Sequence, residues 1–524
     1  MFFRIISILG SMTFVSRILG YIRDLLIAKI IGAGLISDSF FVAFKLPNLF
    51  RRLLAEGSMN SAFIPVISGI KGKKNADEFF SKVFSGLVVI LFFLLIIFEI
   101  FMPLIIKIIA PGFSENQNKY LLTIDFSRLA FPFVFFVCLT SLMGAYLNTL
   151  GKFAAMAATP ILLNLTMILF LLIFSRNNGD EIYISSMLSF SISFAGIVQF
   201  IWLIYNLKKN NILLKLKFLQ FFKFRKFSNN SKRLLSLLIP AIIGNGAYQL
   251  NLLIDMILAS TLPDGSISYL YYADRINQLP LGVLGIAIST ALLPMLSLQI
   301  KEKDFKGANK SISTAINFGL ILSLPAAAGL FVLSNEVISF LFLRGAFDIY
   351  DSNSTSNALV ALSLGLPAFI MIKILVVPFF ANEDTKTPIR ISIISMVINL
   401  CLNLILIKKF LHVGLAMATS ISAWANAFIL LFILIYRKIV VIDRTTVNVF
   451  LKVVICTFLM AAIVDKIIEF DLSFFSHFSF LTKNNLTLLF AIFSGMIVYI
   501  VMIYLSDIKE IKEILWKKKI KRKN

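Results

Sequence analysis

Charged and turn residues cut the chain into about fourteen apolar runs, each long enough to cross a bilayer. A spanning helix needs roughly 20 mostly apolar residues. The runs fall near 8–31, 37–68, 80–109, 122–148, 154–175, 183–207, 234–262, 267–299, 311–343, 355–381, 388–407, 412–437, 449–468 and 485–506. Within a bilayer every backbone N–H and C=O must find its partner inside the protein, so such runs fold as packed helices. The expected fold class is an all-α integral membrane protein with about 14 transmembrane helices. Composition agrees: 59% of residues are hydrophobic, against roughly 45–50% in soluble domains. Pro47, Pro132, Pro240, Pro280, Pro325 and Pro367 lie inside runs, and kinks are expected there. The first run lacks a small-residue cleavage site and is interrupted by Arg17 and Arg23, so it reads as a retained helix.

Only 15% of residues are charged, yet the net charge is +23. In a membrane chain that excess points to basic cytoplasmic loops and not to nucleic acid. Alternating the loops puts "KGKKNADE" (71–78), "KEKDFKGANK" (301–310), "NEDTKTPIR" (382–390), the 208–233 segment and the tail 507–524 on one side. "APGFSENQNK", "SRNNGDEI", "LPDG" and "RGAFDIYDSN" fall on the other. The first set is richer in Lys and Arg, so it is read as cytoplasmic, with both termini inside. The segment 208–233 mixes Lys and Arg with Leu and Phe. It is read as an interfacial helix on anionic lipid, with a disordered basic loop as the alternative. Cys138, Cys401 and Cys456 all lie in apolar runs, and the two histidines are far apart. Neither a disulfide framework nor a metal site follows.

The sequence repeats weakly at about 230 residues. "DLLIAKIIGAGLIS" (24–37) lies over "DMILASTLPDGSIS" (255–268), and Asn164 later matches Asn399. Each half holds six runs, giving an expected N-lobe at 1–207 and C-lobe at 234–437. Parallel halves of this kind are a transporter architecture.

Charges inside membrane helices cost at least ~2.5–3.5 kcal/mol each on insertion scales, so they face a bundle interior or a wet cavity. Ser16, Arg17, Arg23 and Asp24 crowd the first run. In the second, Asp38, Lys45, Asn48, Arg52 and Glu56 recur at helical spacing as one stripe, with Arg51 off it. Positive charges outnumber negative ones, and Arg binds phosphate or carboxylate as a planar fork that keeps its proton. Arg275, with Tyr271 and Gln278 at helical spacing, adds a cation from the second half. The pattern suggests an anionic, phosphorylated substrate; pairing that locks helices together is the competing reading. Asp255, Asn399, Asn403 and Thr419 present oxygens from three helices, either for a monovalent cation or as interhelical hydrogen bonds.

The stretch "VSRILGYIRDLLIAKIIGAGLISDSFFVAFKLPNLFRRLLAEGSMNSAFIPV" (15–66) resembles the signature of the MurJ (MviN) family of lipid II flippases. "GSISYLYYADRINQLPLGVLGIAISTALLP", "LFLRGAFD" and "DTKTPIR" resemble its later motifs, so the likeness runs through most of the chain. The resemblance implies two six-helix lobes in a V around a cationic cavity, with two further helices (438–506) grooved for a polyprenyl tail. It implies movement of undecaprenyl-diphosphate-linked disaccharide-pentapeptide from inner to outer leaflet by alternating access, in the bacterial cytoplasmic membrane. Arg17, Arg23, Arg52 and Arg275 take the positions that meet the diphosphate; Ser16, Asp24, Asp38, Asn48, Arg51 and Glu56 take supporting cavity and gate positions. Gln278 and Asn403 stand where relatives carry acids, which bears on gate pairing and on a sodium site. Expected partners are lipid II, membrane lipids and the cell-wall synthesis machinery, with a monomeric protein and no nucleic acid. No cofactor is expected; sodium, protons and the membrane potential are the candidate driving forces. The competing functions are a small-solute or multidrug exporter of the same superfamily and a membrane-embedded glycan polymerase. The first predicts a cavity with acids for cationic drugs, whereas this one is Arg-rich; the second needs carboxylates in a large outer loop, and the loop at 469–484 has few. No P-loop pattern is present.

Overall fold

A computed structural model describes residues 2–55, 58–177, 180–212, 214, 229–441, 443–469 and 483–508. The described chain is helical throughout; its one bridge outside helices joins Arg344 and Phe347. The basic 208–233 segment for the most part, Glu56 and the end of the tail lie outside the described residues.

The helices follow the apolar runs. The first half comprises α1 (Phe2–Ile31), α2 (Leu35–Phe50), α3 (Ser58–Ser68), α4 (Lys73–Ile109), α5 (Gln117–Ala130), α6 (Phe133–Thr149), α7 (Phe153–Ala157), α8 (Thr159–Phe174) and α9 (Glu181–Lys209). The second comprises α10 (Asn229–Ala259), α11 (Ser266–Pro280), α12 (Ile286–Lys301), α13 (Phe305–Val332), α14 (Ser334–Phe342), α15 (Ile349–Ser363), α16 (Leu366–Leu375), α17 (Val377–Ala381) and α18 (Lys386–Tyr436). Helices α19 (Arg444–Glu469) and α20 (Lys483–Leu505) follow. Among the described residues, ten helical stretches are long and apolar enough to cross a membrane. One of them is the 51-residue α18, which holds two expected spans and breaks at Leu411, where φ is +50°.

The prolines act unequally. Pro132 separates α5 from α6, and Pro367 opens α16, whereas Pro240 and Pro325 remain inside unbroken helices. Two prolines precede something sharper. After Pro47 the chain winds as a π-helical segment at Arg51–Ala55, and after Pro280 as another at Leu281–Gly285. Local π turns re-pair carbonyls that a proline leaves without an N–H partner. The two segments stand about 230 residues apart, at the spacing of the sequence repeat. They are rare structures that concentrate at functional sites.

The chain divides into two compact units, residues 1–268 with 344–347, and residues 269–343 with 348–524. In the first, aromatic rings fill the gaps between helices. Phe80 stacks on Tyr146 at 4.4 Å, and Phe98 on Phe131 at 4.7 Å with Phe50 edge-on. In the second, α19 and α20 pack on each other and on α13 through Val453, Met460, Ala491 and Tyr499. The Tyr499 hydroxyl donates to the Ile321 carbonyl at 2.6 Å, so the last two helices are fixed to that unit by a polar bond as well as by packing.

Candidate functional site

The charges of α1 divide into buried and accessible. Arg23 is 4% exposed and Asp24 is 0% exposed. The Arg23 Nε and Nη2 donate to Asp24 Oδ1 at 3.0 and 2.7 Å, and Nη1 donates to Asn164 Oδ1 on α8 at 2.9 Å. Its guanidinium also lies 5.3 Å from the Phe44 ring centre on α2. Asn164 completes the joint by donating to the Ser16 carbonyl at 3.0 Å. Arg23 thus joins three helices, and most of its fork is spent. Arg17 is exposed on the same helix, without a carboxylate partner among the described residues.

Arg51 and Arg52 sit in the first π segment, both half-buried. Arg51 Nε donates to Asn48 Oδ1 at 3.1 Å, and Asn48 Nδ2 donates to the Phe44 carbonyl at 3.0 Å. At the far end, the Ser58 hydroxyl donates to the Leu53 carbonyl at 2.6 Å, satisfying an acceptor where the backbone ladder changes step. Among the described residues, Arg52 has no such tie to a carboxylate.

Asp38 heads the stripe read from the sequence, and its environment differs from that of the arginines. It is 1% exposed, and its oxygens are filled. Oδ2 accepts from Lys119 Nζ at 3.0 Å and from the Gly265 amide at 2.8 Å; Oδ1 accepts from the Ser268 amide at 2.9 Å and its hydroxyl at 2.7 Å. A carboxylate has about four acceptor positions, and here four donors fill them. Asp38 therefore joins α2 to the start of α11 within the first unit.

Lys119, 3% exposed, lies in the first turn of α5. Its ammonium also reaches Asp264 Oδ1 at 2.7 Å and stands 4.0 Å from the Phe113 ring centre. Lys119 escaped the sequence reading because it closes a loop, "APGFSENQNK", and its partners lie far away in sequence. A lone Lys in a loop set poor in basic residues was the available signal. Residues 344–347 belong to the same unit. The Ala346 amide donates to the Lys29 carbonyl at 2.9 Å, and a Cβ on Gly345, whose φ is +65°, would stand 2.1 Å from that carbonyl oxygen.

In the second unit Arg275 is half-buried. Its Nη2 donates to the Tyr271 hydroxyl at 3.3 Å, with the guanidinium 5.6 Å from the Tyr271 ring centre. Gln278 donates instead to Asp274, one turn back. Of the expected cation ligands, Asp255 belongs to the first unit and the others to the second. Asn403 and Asn399 are buried and bonded to each other at 3.1 Å, and Thr419 donates to the Leu415 carbonyl at 2.9 Å. Those two contacts are interhelical-glue chemistry turned inward on single helices.

Comparison with known proteins fits this description. The family model for lipid II flippase MurJ matches residues 27–485. A probable lipid II flippase MurJ of Rickettsia prowazekii is 42% identical over 428 residues, covering 81% of this chain and 82% of the relative. Its counterpart from Rhizobium tropici is 39% identical over 436 residues, 82% of this chain and 80% of the relative. Among solved structures, a lipid II flippase MurJ in an inward closed conformation superposes with a TM-score of 0.79 at 28% identity, covering 98% of this chain and 99% of that one. An inward-facing multidrug resistance MATE family transporter of the MOP superfamily shares the fold, with a TM-score of 0.66 at 13% identity over 81% of this chain and 94% of its own.

Proposed function

The chain belongs to the lipid II flippase MurJ family, and from that premise we propose that it moves lipid II from the inner to the outer leaflet by alternating access. It is a multi-pass protein of the bacterial inner membrane and a transporter. The observation that supports the reading best is the difference between the charges of its first unit. Asp24, Asp38 and Lys119 are matched by protein groups, while Arg17 and Arg52 are left without a described carboxylate. Cations kept in a membrane protein at that cost suit a diphosphate, which takes bidentate bonds from each guanidinium.

In this proposal Arg17 and Arg52 take the diphosphate, Arg275 is the cation that the second repeat offers a phosphorylated head group, and Arg23 sets the shape of α1 through Asp24 and Asn164. Arg51 holds the π segment through Asn48. The polyprenyl tail stays in lipid, against the last two helices. Both termini face the cytoplasm, which places the loops at 110–116, 260–265 and 344–348 outside. The unloaded, cationic site is reset by the membrane potential, worth ~2.3 kcal/mol per charge per 100 mV. Asn399 and Asn403 are bonded to each other, which speaks against their holding sodium.

The test is reconstitution into vesicles with lipid II on one side and measurement of its arrival on the other. Wild-type protein moves the lipid, and joint replacement of Arg17 and Arg52 by Ala stops it. Normal transport by that double variant would refute the diphosphate assignment.

A further inference from the structure

We infer that Lys119 is a positioning residue of the outward closure, holding the Asp38 carboxylate against the amides that open α11. The inference rests on the sidedness proposed above, which puts this cluster on the outer side.

Lys119 stands where a lysine is unfavourable on two counts. It lies in the first turn of a helix, where the dipole repels a cation. Its ammonium is also withdrawn from water, which is costly unless the charge is well paired. Placement there is offset only by what the ammonium touches: Asp38 at 3.0 Å, Asp264 at 2.7 Å and the face of Phe113 at 4.0 Å. The two carboxylates differ in kind. Asp38 is buried and comes from α2, in the first repeat. The side chain of Asp264 is 50% exposed and lies in the "LPDG" turn that precedes α11, in the second. Among the described residues, Lys119 is thus the one group that bonds both of these acids. With it in place, Asp38 is a neutralised acceptor for the amides of Gly265 and Ser268.

The same two chain segments meet again beside this bridge. The Gly112 amide donates to the Ser260 hydroxyl at 3.2 Å, and a Cβ on Gly112 would lie 2.2 Å from the Ser260 carbonyl oxygen. Ser37 and Ser268 hydroxyls stand 2.9 Å apart. In the opening inferred here, the 260–268 segment leaves α2 and α5. Lys119 must then exchange two carboxylates for water, and so its charge sets how readily that end opens. Asp264, half in water, is the partner that yields first.

The experiment is hydrogen exchange on the full-length protein in lipid nanodiscs, run beside vesicle transport of lipid II. Lys119→Met is expected to raise exchange of the amides in 260–268 by about tenfold or more, with transport reduced and the exchange of α8 and α9 unchanged. Lys119→Arg restores most of the protection, because a cation is again in reach of both acids. Asp264→Asn gives a smaller rise. Unchanged exchange in 260–268 for Lys119→Met would overturn the inference. So would a rise spread evenly over the whole first unit, which would make Lys119 a residue of folding and not of closure. The exchange arm needs no substrate. If wild-type protein moves no lipid II, the flippase reading fails and Lys119 is still judged.

Discussion

At the Asp38–Lys119 cluster each carboxylate oxygen of Asp38 is met by protein donors, whereas in the same unit Arg17 and Arg52 stand without a described carboxylate. Both regions keep charge inside a membrane protein. In the cluster the cost of burial is offset within the fold, so the charges hold segments together. Arg17 is exposed and Arg52 half-buried, and their charges are left to an occupant or to water. Arg23 shows that residue type does not decide the matter: one helical stretch from Arg17, it belongs with the structural group.

The sharpest way to break this distinction is to remove Arg23 and Arg17 separately. Arg23→Ala takes the guanidinium away from Asp24 in the interior, and removing one partner of a buried pair costs about 3–5 kcal/mol. Its thermal unfolding in detergent should fall clearly, with lower yield of folded protein. Arg17→Ala should stay within about 0.5 kcal/mol of wild type in stability. It should instead lose roughly 10–100-fold in lipid II transport, the worth of one charge-assisted bond. If Arg23→Ala is as stable as Arg17→Ala and equally inactive, the two arginines do one job and the comparison fails. Next in size is Asn164→Ala, which removes an Arg23 acceptor and the bond to Ser16 together. A loss of about 1–3 kcal/mol in thermal unfolding is expected, because Arg23 is left partly unsatisfied in a buried place. Gly345→Ala tests the closure from its other edge. The left-handed backbone and the Lys29 carbonyl both resist a Cβ, so destabilisation above about 1 kcal/mol is expected. Faster exchange at residues 29–34, compared with wild type, would register it.

Much of the fold could be read in advance, because a bilayer forces each apolar run into a helix and the runs are well separated. The repeat was legible too, and the matched π segments at Arg51–Ala55 and Leu281–Gly285 now give it a structural counterpart. The site was less so. The stripe of Asp38, Lys45, Asn48 and Arg52 assumes 3.6 residues per turn throughout. That holds as far as Asn48; beyond it the wider π turn changes the direction of Arg52 relative to the residues before it. Periodicity also placed Asp38 with the arginines, while its partners Lys119, Gly265 and Ser268 come from distant segments that no local pattern connects. Asn164 was matched to Asn399 by position alone; that it carries Arg23 is a fact of packing between α1 and α8.

A third charged cluster, outside the membrane-spanning helices, should give the smallest effect and so bound the comparison from below. Asp384 accepts from the Thr387 hydroxyl and amide at 2.6 and 3.0 Å and from Arg437 Nη1 at 2.6 Å. These bonds, the Thr387 hydroxyl first, hold its carboxyl well below the usual carboxylate range. A depressed folded-state value stabilises the fold above the unfolded value of about 3.9 and is lost as pH falls through the folded one. The difference in unfolding midpoint between wild type and Asp384→Asn should therefore be flat from pH 8 to about 5 and shrink only in stronger acid. With both side chains partly in water, it should amount to about 0.2–1 kcal/mol and weaken with salt. The Asp38–Lys119 pair, shielded from solvent, should show little of that salt dependence in the exchange of 260–268. Equal salt sensitivity at both clusters would mean that water reaches Lys119, and the contrast between a sealed pair and a wet one would have to be given up.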